Sequence, residues 1–117
     1  MFSRFHRLNF RLYNDRNIFR LGKLKKEKFF ELVYDFKGKK FQFGIIIPKK
    51  IITKAATRNA LRRTITASIS REFVEINNLR LAVRIISPEA NLISRADWQK
   101  FFDDLLKEIS TEQLVKK

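Results

Sequence analysis

The chain has 117 residues, a formal net charge of +14 and no cysteine, which describes one basic domain, 1–117, able to hold a single core without staples. The missing thiols exclude disulfide frameworks and thiolate metal sites and fit a reducing, cytoplasmic setting. No apolar run approaches the roughly 20 residues of a membrane span, and no apolar stretch follows the basic start, so no membrane anchor or secretory signal is expected.

In chain order, residues 1–23 interleave cations with rings: Phe2, Arg4, Phe5, His6, Arg7, Phe10, Arg11, Tyr13, Arg16, Phe19, Arg20. Single-stranded nucleic acid is gripped in this way, bases on rings and cations along the backbone. Most of the twelve Phe are nonetheless better assigned to the core. A short helix is expected over 14–21, ended by Gly22. His6 has no second His and no Cys with which to build a metal or catalytic site.

Lys23 to Lys28 reads as a charged connector. Phe29 to Phe36 alternates, with Phe30, Leu32, Tyr34 and Phe36 on one face. Lys37-Gly38-Lys39-Lys40 reads as a turn whose glycine supplies a positive φ, and Phe41 to Ile47 alternates again before Pro48. These two strands form an expected antiparallel hairpin. Gly44, inside the second, allows another backbone or a large side chain to come close.

From Lys54 the chain runs without Gly or Pro to Phe73, which predicts a helix of about five turns. At roughly 100° per residue, Arg58, Asn59, Arg62, Arg63 and Thr66 share one arc, beside an apolar arc of Leu61, Ile65 and Ile69. Glu72 is the only carboxylate in this stretch, whereas a helix charged for its own stability carries acids three or four residues from each Arg. Leu79 to Ile86 is a further strand, closed by Ser87-Pro88. Ser94 caps a final helix that places Trp98, Phe101, Phe102, Leu105, Leu106 and Ile109 at steps of three and four, a core face. The tail, 112–117, is expected to fray. The order is helix, two or three strands, helix, strand, helix: an α/β (α+β) two-layer sandwich with a strand–helix–strand crossover through Pro48–Ile86 and at least two parallel strands.

A basic helical face is often only solvated. The distribution of charge argues for more. Residues 1–50 hold fourteen Lys or Arg against four Asp or Glu, residues 51–73 five against one, and residues 74–117 seven of each. An extended polyanion accounts for such segregation, because each neutralised phosphate releases counterions.

Lys49-Lys50, four residues, Ala55-Ala56-Thr57-Arg58-Asn59, two residues and Arg62-Arg63 resemble the signature helix of the bacterial ribonuclease P protein subunit. The aromatic basic segment ending in Gly22 and the strands around the helix extend the likeness over nearly the whole chain. The pattern departs from the family at Ala60 and Thr66, where Arg is usual, at Asp15, where Phe is usual, and in a spacer one residue longer after Lys50. The resemblance implies a small RNA-binding cofactor of a catalytic RNA that, with Mg2+, removes the 5′ leader from precursor tRNA. The protein itself would supply no catalytic residue, metal site or bound cofactor. That agrees with the residues, which offer no carboxylate cluster, nucleophile–base pair or glycine-rich phosphate loop. The resemblance and the basic arc together assign RNA binding to Lys49, Lys50, Lys54, Arg58, Asn59, Arg62 and Arg63. Phe19, Arg20 and Tyr34 are expected to line a groove for the leader, with Lys49 near its end; a core position for Tyr34 competes with that assignment. The alternatives are a structural ribosomal or ribosome-associated protein and a basic DNA-binding or nucleoid protein.

Overall fold

The computed structural model describes residues 7–10, 13–69 and 71–115; Phe2, Arg4, Phe5, His6 and Arg11 of the aromatic N-terminal segment lie outside them. Two helical turns, α1 (Tyr13–Arg16) and α2 (Ile18–Leu21), precede strands β1 (Lys23–Lys26), β2 (Phe30–Asp35) and β3 (Gln42–Ile46). Helix α3 (Ala55–Ala67), strand β4 (Arg80–Ile85) and helix α4 (Arg95–Val115) follow, with 3-10 turns at Arg71–Glu75 and Pro88–Leu92.

The four strands lie in the order β1-β2-β4-β3. Strand β4 is the centre: only Arg84 among its six residues escapes burial. It pairs antiparallel with β2 and parallel with β3, so β3–α3–β4 is a strand–helix–strand crossover, as expected. The expected hairpin of β2 with β3 does not form, because β4 inserts between them. Alternation assigns each residue to a face but does not choose a strand's neighbours. The hairpin that does form joins β2 to β1, whose lysine-rich stretch Lys23–Lys26 is an edge strand and not a connector. Gly38 has no positive φ, consistent with a link that is not a tight hairpin.

The helix expected over 14–21 is broken at Asn17 into α1 and α2. Gly22 is extended, not left-handed, and its N–H donates to the Ile18 carbonyl. A Cβ there would lie 2.5 Å from Val33 Cγ1, so close packing requires the glycine. Helix α3 also stops sooner than its freedom from Gly and Pro suggested. Near its end Thr64 Oγ1 donates to the Ala60 carbonyl and Ser68 Oγ to the Thr64 carbonyl, back-bonding that competes with helix continuation. In α4 the Asp97 N–H donates to Ser94 Oγ at 3.1 Å, the expected cap, and the helical backbone runs to Val115.

One face of the sheet carries the main core. Phe30, Leu32 and Tyr34 of β2, Phe43 of β3 and Leu81, Val83 and Ile85 of β4 meet Leu61 and Ile65 of α3. Trp98, Phe102, Leu105 and Ile109 of α4 complete it, all inaccessible to solvent. The opposite face carries a smaller cluster, in which Leu8, Ile18, Val33 and Ala82 are buried and Phe10 and Phe19 pack against them. Gly44 is what admits this layer: a Cβ there would sit 2.5 Å from Phe10 Cζ. Between the layers Arg80 Nε and Nη2 donate to the two oxygens of Asp35 at 2.8 and 2.5 Å, both side chains being nearly inaccessible. Arg80 Nη2 also reaches Asn17 Oδ1 at 3.3 Å, which ties the break between α1 and α2 to the sheet.

Candidate nucleic-acid interface

The loop that leaves β3 turns at Pro48–Ile51, with the Ile51 N–H donating to the Pro48 carbonyl. Lys49 and Lys50 stand exposed on this turn, beyond the end of β3 that lies beside the end of β4, and Lys54 is exposed at the N-cap of α3. Arg58 and Arg62 then follow at successive turns of α3, with Asn59 and Arg63 beside them; Asn59, Arg62 and Arg63 are exposed. The structure thus gathers every residue assigned to RNA from the sequence onto one helix and the turn that leads into it.

The arginines are not equivalent. Arg58 Nη1 donates to the carbonyls of Ile52 and Thr53 at 2.8 and 2.9 Å, which fastens the loop to the first turns of α3. Arg62 Nη1 donates to the Ile45 carbonyl at 2.9 Å, on the outer edge of β3. Each tether uses one nitrogen and leaves the rest of the fork available, so the side chain is fixed before a ligand arrives. Arg63 makes no hydrogen bond or ion pair to the described residues. Partial burial first, and the neighbouring Arg58 charge second, hold the Arg62 pKa below the usual guanidinium value. The ion pairs Lys25–Glu108, Arg80–Asp35 and Arg84–Glu31 all lie away from α3. Adjacent guanidiniums without a carboxylate form an anion site.

On the sheet face opposite the main core, Phe19 is half-buried and tilts against Phe10 with ring centroids 5.3 Å apart. The Arg84 guanidinium lies over the Phe19 ring at 5.0 Å and pairs with Glu31 at 3.2 Å. Arg20 is exposed beside Phe19 on α2. A ring and a guanidinium held together in this way offer a stacking platform to an unpaired base.

Tyr34 does not join them. It is 2 % exposed, within the main core on the other face of the sheet, its ring edge-on to Phe36 at 5.9 Å. The groove drawn from the sequence therefore loses Tyr34, because Phe30, Leu32 and Tyr34 obey the strand period and all turn inward. Arg84 occupies the place beside Phe19 instead, and its signal was visible as a cation alternating with Leu81, Val83 and Ile85. Among the described residues no group of three or more His, Cys, Asp or Glu could hold a metal ion.

The ribonuclease P family model matches residues 2–110. The chain belongs to the ribonuclease P protein family. Among solved structures it is similar to the Staphylococcus aureus RNase P protein, at 20 % identity over 89 % of this chain and 94 % of that one, TM-score 0.68. It is also similar to the Thermotoga maritima RNase P protein in complex with 1-(4-fluorophenyl)-2-thiourea, at 21 % identity over 86 % and 96 %, TM-score 0.68. No curated protein sequence matches the chain. At such identities the structural likeness speaks for the fold, while the family model carries the membership. Nothing in the fold or these matches favours the ribosomal or nucleoid alternatives.

Proposed function

We propose that the chain is the RNA-binding subunit of ribonuclease P and assists a catalytic RNA in removing the 5′ leader from precursor tRNA. The observation that carries this reading is the α3 face, where Arg58, Arg62 and Arg63 stand without a carboxylate partner and two of them are tethered in advance. This face, with Lys49, Lys50, Lys54 and Asn59, docks on the RNA subunit. The Phe19–Arg84 platform, flanked by Arg20, receives the single-stranded leader. The endonucleolytic chemistry belongs to the RNA subunit and its Mg2+, the protein's part being to neutralise phosphates and hold the leader in place. Such a particle works in the cytoplasm.

The test compares precursor with mature tRNA. Phe19→Ala in the reconstituted holoenzyme is expected to weaken precursor binding by roughly 1–3 kcal/mol, one lost stack, and to leave mature tRNA, which has no leader, nearly unaffected. Equal loss for both ligands in a variant of unaltered Tm contradicts the platform.

A further inference from the structure

Along the outer edge of β3 runs the described part of the N-terminal segment, residues 7–10. Arg7 bridges Phe43 in parallel and the Leu8 N–H donates to the Phe43 carbonyl at 2.9 Å. At the next residue the chain peels away, because the Asn9 N–H donates to Asp15 Oδ2 at 2.7 Å. On the far side α3 presents Thr66 and Ala67, small side chains at its last turn, Thr66 being where the family pattern usually has Arg. The result is an open cavity of about 590 Å³, within the range of sites that take one small organic ligand. Its walls are largely apolar, with Phe10, Phe43 and Ala67 among them, and Arg62 and Arg63 line it as well.

An apolar slot with an aromatic wall and two guanidiniums suits a nucleotide, base against the ring and phosphate in the forks. We infer that this cavity captures a single unpaired nucleotide of the catalytic RNA subunit, with its phosphate held by Arg62 and Arg63. The inference rests on the functional reading above and adds to it a site for one extruded base. The source is the RNA subunit and not the leader, because the charged wall is continuous with the α3 face assigned to that RNA. The leader platform is built instead on Phe19 and Arg84. Phe10 touches both sites, lining the cavity and packing on Phe19. The Ile45 carbonyl holds Arg62 at the cavity wall, so the anion end is fixed before RNA binds.

The test has two arms, each with the full-length chain and a transcript of the RNA subunit. In the first, a photoreactive benzophenone side chain replaces Thr66, and crosslinks are mapped in the complex with precursor tRNA. A dominant crosslink to one unpaired nucleotide of the RNA subunit supports the inference. Crosslinks to the leader, spread over many positions, or absent from a complex that still forms overturn it. In the second, Ala67→Leu fills the slot without changing charge, in a residue type that suits a helix. About tenfold weaker binding of the RNA subunit is expected, together with new reactivity of that nucleotide to base-modifying reagents. Unchanged affinity and unchanged reactivity, with a circular dichroism spectrum like that of the parent chain, overturn the site. If the unaltered chain fails to bind the RNA subunit at all, the broader functional reading falls with it, an outcome distinct from a dispensable cavity.

Discussion

Three arginines close in sequence on α3 face different tasks, and single substitutions should separate them. Arg63, exposed and untethered, is expected to act only on RNA. Arg63→Ala should leave Tm unchanged while weakening binding to the RNA subunit and lowering the slope of log K against log salt by about one. Arg58 holds two loop carbonyls as well. Arg58→Lys keeps the charge but not the fork, so a loss of order 1 kcal/mol is expected both in urea-denaturation stability and in RNA affinity. Full retention of affinity would mean that α3 contributes only a diffuse field. Arg80 is the contrasting case, a cation turned entirely inward. Asp35→Ala removes the paired carboxylate from that buried guanidinium and should cost roughly 3–5 kcal/mol of stability. An effect confined to RNA binding, with stability unchanged, would contradict the buried pair.

Gly44 controls how the N-terminal layer docks on the sheet. Gly44→Ala would force the Phe10 ring away, and with it the bridge between Arg7 and Phe43. Hydrogen exchange should accelerate at the Leu8 amide while the amides of β4 stay protected; uniform acceleration would show that the segment is not a separable layer. The sequence allowed Gly44 to be read as a place of close approach, and the aromatic stripe of α4 as a core face, because both are consequences of periodicity and side-chain size. Strand β1 was hidden by its composition: Lys23, Leu24, Lys25 and Lys26 show no apolar face, since an edge strand can be stabilised by backbone pairing and kept soluble by charge. The neighbour order was hidden for another reason. Phe29–Phe36 and Phe41–Ile47 look like hairpin partners, and only the hydrophobicity of β4, which suits the middle of the sheet, hints that it separates them. At the candidate site, the arc from Arg58 to Arg63 was legible from helical geometry. Tyr34 was not, because an alternating strand with two usable faces leaves the direction of its inner face open.

For the molecule as a whole, positive charge is collected in the first 73 residues and the remainder is charge-balanced. Helix α4, from the balanced part, buries its apolar stripe against the sheet, while the basic turn and α3 lie in the positive part. RNA affinity should therefore fall steeply from low to moderate salt, with a slope corresponding to several phosphate contacts, and a flat salt response would contradict an electrostatic interface. The central claim, that this chain serves ribonuclease P as its protein subunit, is tested most directly by cleavage. The measurement is the rate at which a bacterial ribonuclease P RNA processes precursor tRNA at low Mg2+, with and without the purified chain. The account predicts marked acceleration that depends on Arg63 and on the presence of a leader; no acceleration, from a protein that binds the RNA subunit tightly, would contradict it.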